Sequence, residues 1–101
     1  MVYMIRVGDL VKIGCSSDIS RRLRQIAQRH SGCKYPAELG TDAPVLVAFL
    51  YGNEEVERAI QDAFCDLRVV GEWFRWDQRL AAWCARRRTT GLPAAPDQVV
   101  F

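Results

Sequence analysis

The sequence has few of the residues that bind zinc or form disulfide frameworks. Its four cysteines are far apart, no two of them have the C-x-x-C spacing, and there is a single histidine. This pattern argues against a structural zinc site and against a redox pair. We expect the cysteines to pack as small buried hydrophobic residues.

Long apolar segments are also lacking. The longest apolar run, residues 43–51, is far too short to span a bilayer, and residues 1–10 lack the hydrophobic region of a signal peptide. We therefore expect a cytoplasmic protein with no membrane partner. The chain has 101 residues, half of them hydrophobic and 26% charged, which predicts one folded domain with one hydrophobic core.

Charge is distributed unevenly along the chain. Residues 1–34 carry a net charge of +5, residues 35–77 carry −6 and residues 78–101 carry +3. Two basic segments around an acidic middle suit a surface that faces phosphates beside a carboxylate. A charge run is also common on an ordinary solvated face, so this distribution favours nucleic acid only weakly.

The first residues have the pattern of a β-hairpin. Two β-rich runs, residues 2–6 and 11–14, flank a Gly8-Asp9 dipeptide that suits a two-residue turn. Counting outward from this turn places Tyr3 opposite Gly14 and puts Lys12 on the same face as Tyr3. The other face, which we expect to pack against the core, carries Val2, Met4, Val11 and Ile13.

Apolar spacing predicts the remaining elements. A helix is expected from Ile19 to about His30, and the apolar run of residues 45–51 predicts a central strand that is covered on both faces. A second helix should begin after Asn53 and a third after Asp77. The predicted fold is an α/β (α+β) domain over residues 1–88, with a mostly antiparallel sheet of about three strands and about three helices. Residues 89–101 are predicted to be a C-terminal tail.

Four polar side chains are predicted at the borders of these elements, namely Tyr3, Lys12, Arg22 and Glu57. Packing would hold such side chains in place while they still reach a ligand. Hydrolysis of a phosphodiester needs positive charge on the phosphate oxygens and a means of activating water. Each residue taken alone also has an ordinary structural interpretation, as a strand aromatic or a solvated surface charge.

The order of these residues resembles that of the GIY-YIG nucleases. The resemblance rests on Val2-Tyr3-Met4, on Lys12-Ile13-Gly14, on Arg22 and on Glu57. The later segment Gly71-Glu72-Trp73-Phe74 resembles a phage and bacterial DNA-binding branch of that superfamily, in which lysine replaces the second motif tyrosine as Lys12 does here. The resemblance therefore implies a GIY-YIG-like fold.

The resemblance also implies a role for each matching residue. Tyr3 would orient or deprotonate the attacking water or bond the scissile phosphate, and a nearby cation such as Lys12 would favour its ionised form. Arg22 would bind the phosphate oxygens, and Glu57 would be the sole protein ligand of Mg²⁺ (or Mn²⁺). Contacts with nucleic acid are expected from Lys12, Gly14, Ser16, Arg21, Arg22 and Arg24.

Three functions remain open at this point, and the third is a small protein-interaction domain, which the tryptophans suggest. The first is a metal-dependent endonuclease acting on DNA, and the second is a DNA-binding module that keeps the scaffold but cuts weakly or not at all. The second is suggested by Lys12 and by Gln61, which stands where this branch often has histidine and cannot relay a proton as imidazole can. Since no separate DNA-reading module is recognised in the sequence, we expect sequence specificity to be low or to be supplied by a homo-oligomer or a partner protein.

Overall fold

The structure, a computed structural model, describes residues 1–29 and 35–88. The elements along the chain are β1 (Val2–Val7), β2 (Leu10–Cys15), α1 (Ile19–Ala27), β3 (Val45–Leu50), α2 (Glu54–Ala63), a 3₁₀ turn (Cys65–Leu67), β4 (Arg68–Val70), β5 (Trp73–Arg75) and α3 (Gln78–Arg88). These elements confirm the predicted α+β class. The predicted C-terminal tail lies outside the described residues.

The predicted hairpin register is confirmed. β1 pairs with β2 in antiparallel fashion, with Val7 opposite Leu10 and Tyr3 opposite Gly14. Gly8 in the turn has φ +60°, a left-handed conformation that a side chain would disfavour. The turn therefore fixes which strand residues face each other and which side of the sheet each side chain occupies.

The sheet differs from the prediction in two respects. Its five strands have the order β3-β1-β2-β5-β4, whereas about three strands were expected. β3 was predicted to be central but lies at one edge, pairing with β1. Its apolar sequence is explained by cover on its two faces, from α3 on one side and from the cluster that includes Leu46 on the other. A continuous apolar run thus indicates that both faces of a strand are covered. It does not indicate whether the strand is central or at an edge of the sheet.

Both faces of the sheet carry a hydrophobic core, so the expectation of a core on one face alone was wrong. The predicted core face of the hairpin packs against α2 and α3 through Val2, Met4, Val11, Ile13, Val56, Ile60, Phe64, Leu80 and Trp83. The opposite face packs against α1 through Tyr3, Ile5, Leu10, Ile26 and Trp73, with Ile19 and Leu23 partly buried. Tyr3 is consequently 1% exposed and lies inside the second core rather than at its border.

Local capping explains where the helices begin. The carboxylate of Asp18 accepts a hydrogen bond from the backbone N–H of Arg21 at 3.0 Å at the start of α1. Asn53 caps α2 by accepting from Glu55 and Val56, as predicted. α1 ends at Ala27, and the predicted end at His30 lies outside the described residues.

The cysteine prediction holds in part. Cys84 is buried, as expected for a small hydrophobic residue, and Cys15 is half-buried. Cys65 is exposed because it begins the 3₁₀ turn on the outside of the molecule, so the expectation was wrong there. Cys33 lies outside the described residues. Within residues 1–29 and 35–88, none of the helices has the length and hydrophobicity needed to cross a bilayer.

Candidate active site

The candidate site is organised around the backbone of Ile13 in β2. β5 pairs with β2 at residues Leu10, Val11 and Lys12. Next to these pairs, the N–H of Ile13 donates to the carbonyl of Glu72 at 2.9 Å, and the carbonyl of Ile13 accepts from Nε2 of Gln61 at 2.8 Å. The start of β5 and the helix α2 therefore meet at one strand edge, and side chains from the two faces of the sheet come together there.

Tyr3 and Gly14 are packed face to face in the hairpin. A Cβ atom placed on Gly14 would lie 2.6 Å from Cζ of Tyr3 and closer still to the phenolic oxygen. The same Cβ would lie 3.0 Å from Oε2 of Glu72. The absence of a side chain at Gly14 therefore leaves the space in which the phenol of Tyr3 and the carboxylate of Glu72 approach each other.

Lys12 lies two residues before Gly14 on the same face of the hairpin and is 6% exposed. Its ammonium nitrogen is 3.9 Å from Oε2 of Glu72, at the outer limit of an ion pair. Taking a charge out of water is costly unless an opposite charge lies nearby, so Glu72 stabilises the buried ammonium. The positive and negative groups of the site are thus in contact.

Glu57 enters the site from α2. Its Oε1 atom accepts a hydrogen bond from Nε2 of Gln61 at 3.0 Å. Burial raises the pKa of the Glu57 carboxyl most, and the negative charge of Glu72 raises it further, while the hydrogen bond from Gln61 acts in the opposite direction. The negative charge of Glu54 adds a smaller rise in the same direction.

Gln61 is the residue that connects these parts. It is 9% exposed, and its Nε2 bonds both the carbonyl of Ile13 and Oε1 of Glu57. Its Oε1 accepts from Nη2 of Arg68 at 3.3 Å, and that guanidinium lies 5.1 Å from the ring centroid of Phe74. Both ends of the amide are therefore held, and Gln61 fixes the position of the Glu57 carboxylate.

Arg22 lines a concavity at the start of α1. It is half-buried on α1, as the helical spacing predicted, and its Nε is buried with no hydrogen-bond partner among the described residues. Within residues 1–29 and 35–88, no hydrogen bond or ion pair joins Arg22 to Glu57. A cavity of about 300 Å³ is lined by Ser16, Ser17, Asp18, Arg21, Arg22 and Gln25. Ser16, Arg21 and Arg22 therefore line one cavity, and Arg24 is exposed on the same helix.

Two residues of the site were not identified from the sequence. Glu72 was noted only as part of the Gly71-Glu72-Trp73-Phe74 segment, and Gln61 only as a departure from histidine. Each is held at the site by a hydrogen bond to the backbone of Ile13, from the backbone carbonyl of Glu72 and from the side-chain amide of Gln61. Gln61 is separated from Ile13 by 48 positions in the sequence. The Gly71-Glu72-Trp73-Phe74 segment was the available signal, because Gly71 with φ +55° makes the turn that brings Glu72 to β2.

The oxygen donors of this site fit a hard divalent cation. Glu57 and Glu72 supply carboxylate oxygens, the ligands that Mg²⁺ and Mn²⁺ prefer, and their mutual repulsion favours a cation near them. Among the described residues, no group of three or more histidine, cysteine, aspartate or glutamate side chains is arranged to hold a metal ion. Water and substrate would have to complete the shell, as is usual for Mg²⁺.

Comparison with known proteins covers all of the elements described above. Neither the curated proteins nor the solved structures give a match. A family model, that of the T5orf172 domain, matches residues 1–88. The matched range runs from β1 to the end of α3 and includes Tyr3, Lys12, Arg22, Glu57 and Glu72. The chain therefore belongs to the T5orf172 domain family.

Proposed function

We propose that this protein is a metal-dependent endonuclease of the GIY-YIG type that hydrolyses DNA phosphodiester bonds. The observation that carries the proposal is the convergence of a phenol, an ammonium and two carboxylates at Ile13, from Tyr3, Lys12, Glu57 and Glu72. Such a set can bind a cation, orient water and balance the charge that develops on a phosphate. The resemblance of the sequence to GIY-YIG nucleases supports the same activity.

Glu57, with Glu72 beside it, would hold Mg²⁺ or Mn²⁺. When bound, the cation supplies positive charge to the phosphate oxygens and lowers the pKa of its bound water. Gln61 keeps one oxygen of Glu57 in a hydrogen bond, so the carboxylate has a fixed direction before any ligand arrives. This preorganisation is the contribution of α2 to the reaction.

Tyr3 would act through its hydroxyl group. The residue is 1% exposed and packed over Gly14, so its ring is held in one direction and its oxygen lies near Glu72. From there the hydroxyl can bond an attacking water or a phosphate oxygen. Lys12, whose ammonium is held near the same carboxylate, would pair with the charge that develops on the phosphate.

The cavity at the start of α1 would bind the DNA backbone. A guanidinium presents several donors that match phosphate oxygens, and the Nε of Arg22 has no hydrogen-bond partner in the part of the chain that the structure describes. Ser16 and Arg21 line the same cavity, and Arg24 is exposed on the same helix. Such backbone contacts position DNA but carry no sequence information, so a partner protein or a second copy would supply specificity.

A second candidate function is DNA binding without cleavage. It is favoured by Gln61, whose neutral amide is engaged in hydrogen bonds at both ends. In this case Lys12, Arg22 and Arg24 would contact phosphates. Binding would weaken steeply with salt and would not need magnesium.

The two functions are separated by a cleavage assay. Plasmid, branched and single-stranded DNA would be incubated with Mg²⁺ or Mn²⁺ and with wild type, Glu57→Ala or Arg22→Ala. Glu55→Ala is the matched control, because Glu55 is an exposed carboxylate on the same helix. We expect cutting by wild type and by the control, and loss of cutting in the other two variants.

Cutting that persists in both Glu57→Ala and Arg22→Ala would point to a contaminating nuclease and would remove the proposed mechanism. Binding by wild type without any cutting would instead select the second candidate function.

A further inference from the structure

Glu72 is the exposed member of its ion pair with Lys12. The side chain of Glu72 is 45% exposed, whereas that of Lys12 is 7% exposed. The side chain of Lys12 is therefore buried, while the carboxylate 3.9 Å from its ammonium is partly open to solvent. A ligand that approaches Lys12 from this side meets the negative charge of Glu72 first.

The carboxylate of Glu72 also lies beside Tyr3. Its Oε2 atom and the phenol of Tyr3 share the space over Gly14, each within 3.0 Å of the point where a Cβ would stand. The same Oε2 is the atom 3.9 Å from the ammonium of Lys12. The carboxylate of Glu72 thus lies next to the phenol of Tyr3 and the ammonium of Lys12, the two groups that would bind the phosphate in the proposed function.

The backbone of Glu72 is fixed while its side chain is half-exposed. Its carbonyl accepts the N–H of Ile13 at 2.9 Å, so the residue stays at the edge of β2. Glu57 adds a second carboxylate next to it. A phosphodiester is also negatively charged, and like charges within a few ångströms repel each other strongly in a partly buried site.

We propose that Glu72 is an electrostatic gate, a carboxylate that keeps a DNA phosphate from Lys12 until a divalent cation neutralises it. The inference rests on the proposed function, and it gives Glu72 a role that the resemblance to GIY-YIG nucleases does not assign. It predicts that a divalent cation strengthens the binding of DNA to this protein in addition to any part it has in cutting. It also predicts that neutralising Glu72 by mutation replaces this effect of the cation.

The test measures binding and not cleavage. Fluorescence anisotropy would follow a short labelled DNA duplex titrated with the full chain at constant ionic strength, in EDTA or in Ca²⁺, a hard cation that also takes oxygen ligands. The variants are Glu72→Gln, which removes the charge and keeps the shape, Lys12→Met, and Glu55→Gln as an exposed-carboxylate control. Circular dichroism would establish that each variant is folded.

We expect Ca²⁺ to strengthen binding by wild type and by Glu55→Gln about tenfold, the order of effect of one close pair of charges. Glu72→Gln in EDTA should bind about as tightly as wild type in Ca²⁺ and should gain little from the cation. Lys12→Met should bind weakly in both conditions, because the ammonium that the gate controls is absent.

Three outcomes would overturn the proposal. If Glu72→Gln and Glu55→Gln bound DNA equally tightly in EDTA, neutralising Glu72 would have no effect beyond that of neutralising an ordinary surface carboxylate. Wild-type binding that does not change with Ca²⁺ would remove the gate but leave DNA binding intact. An absence of DNA binding by wild type in every condition would remove the proposed function as well.

Discussion

The phenol of Tyr3 occupies the space in which a side chain at Gly14 would lie. The two residues are direct partners in the hairpin, and a Cβ on Gly14 would lie 2.6 Å from Cζ of the phenol. Tyr3 is 1% exposed and lies in the core beneath α1. The direction of the phenol is therefore set by a missing side chain on the neighbouring strand.

Gly14→Ala should destabilise the protein by about 1–3 kcal/mol, the usual cost of overpacking a core, and should impair DNA cutting because the phenol must shift. Urea denaturation would measure the free energy of unfolding. Gly40→Ala is the control, because a Cβ there meets nothing within 4 Å and should change stability by less than about 0.5 kcal/mol. Equal stability of the two variants would contradict this account of Gly14.

The hairpin could be predicted from the sequence because its register depends on local residues. The Gly8-Asp9 turn fixes the pairing, and counting outward from it gives Tyr3 opposite Gly14. β4 and β5 could not be predicted in the same way, since three residues are too few to show a period of two. The position of β3 in the sheet was predicted wrongly, because burial of the two faces of a strand does not indicate which strands lie beside it.

The candidate site was predicted less completely for a related reason. Tyr3 and Lys12 follow from the turn, and Glu57 follows from helical spacing. Glu72 and Gln61 reach the site through bonds to Ile13 that join distant parts of the chain, which no local pattern encodes. The position of the Arg22 cavity likewise depends on how α1 packs on the sheet.

The pH dependence of stability should contain a contribution from Glu57. Its folded pKa is raised above the ordinary value of 4.5, so the native state binds this proton more tightly than the unfolded chain. The contribution is fully present below pH 4.5 and is lost as the pH rises through the folded pKa. Glu57→Gln should remove this loss and be more stable than wild type at neutral pH, by less than about 1 kcal/mol because the carboxyl is partly solvated. Urea denaturation in EDTA between pH 4 and pH 8 would measure it, and an unchanged slope in the variant would refute the assignment.

Divalent cations should stabilise the folded protein more at high pH than at low pH. A proton on Glu57 competes with the cation, and the raised pKa of this carboxyl extends the competition above pH 4.5. At a cation concentration of about 100 times Kd, the free energy of unfolding should rise by about 2.7 kcal/mol. Thermal denaturation with Mn²⁺ or EDTA at pH 5 and pH 8 would test this, with Glu57→Gln as the variant that should not respond. A similar response of wild type and Glu57→Gln would place the cation elsewhere.

Gln61→Met should affect both stability and the site. Methionine keeps the length of the side chain but leaves the carbonyl of Ile13 without its donor, which costs about 1–3 kcal/mol. It also removes the hydrogen bond that holds Glu57, so the affinity for Mn²⁺ should fall in the folded protein.

Calorimetric titration of the Gln61→Met variant with Mn²⁺, well below the melting temperature, would separate the two effects. Gln78→Met, on the exposed start of α3, is the control. Loss of stability with unchanged Mn²⁺ affinity would make Gln61 a structural residue only.

Lys12→Met should leave the stability of the fold nearly unchanged while removing DNA cutting. Replacing a buried charge with a hydrophobic residue of similar length is often neutral or stabilising, and Glu72 is exposed enough to be hydrated without its partner. We therefore expect a free energy of unfolding within about 1 kcal/mol of wild type, together with loss of DNA cutting. Arg58→Met, which removes an exposed positive charge from α2, should keep cutting and so controls for general electrostatic attraction of DNA. If Lys12→Met cut DNA as wild type does, the ammonium could have no part in the reaction. The buried charge would then have to be explained by the packing of the hairpin alone.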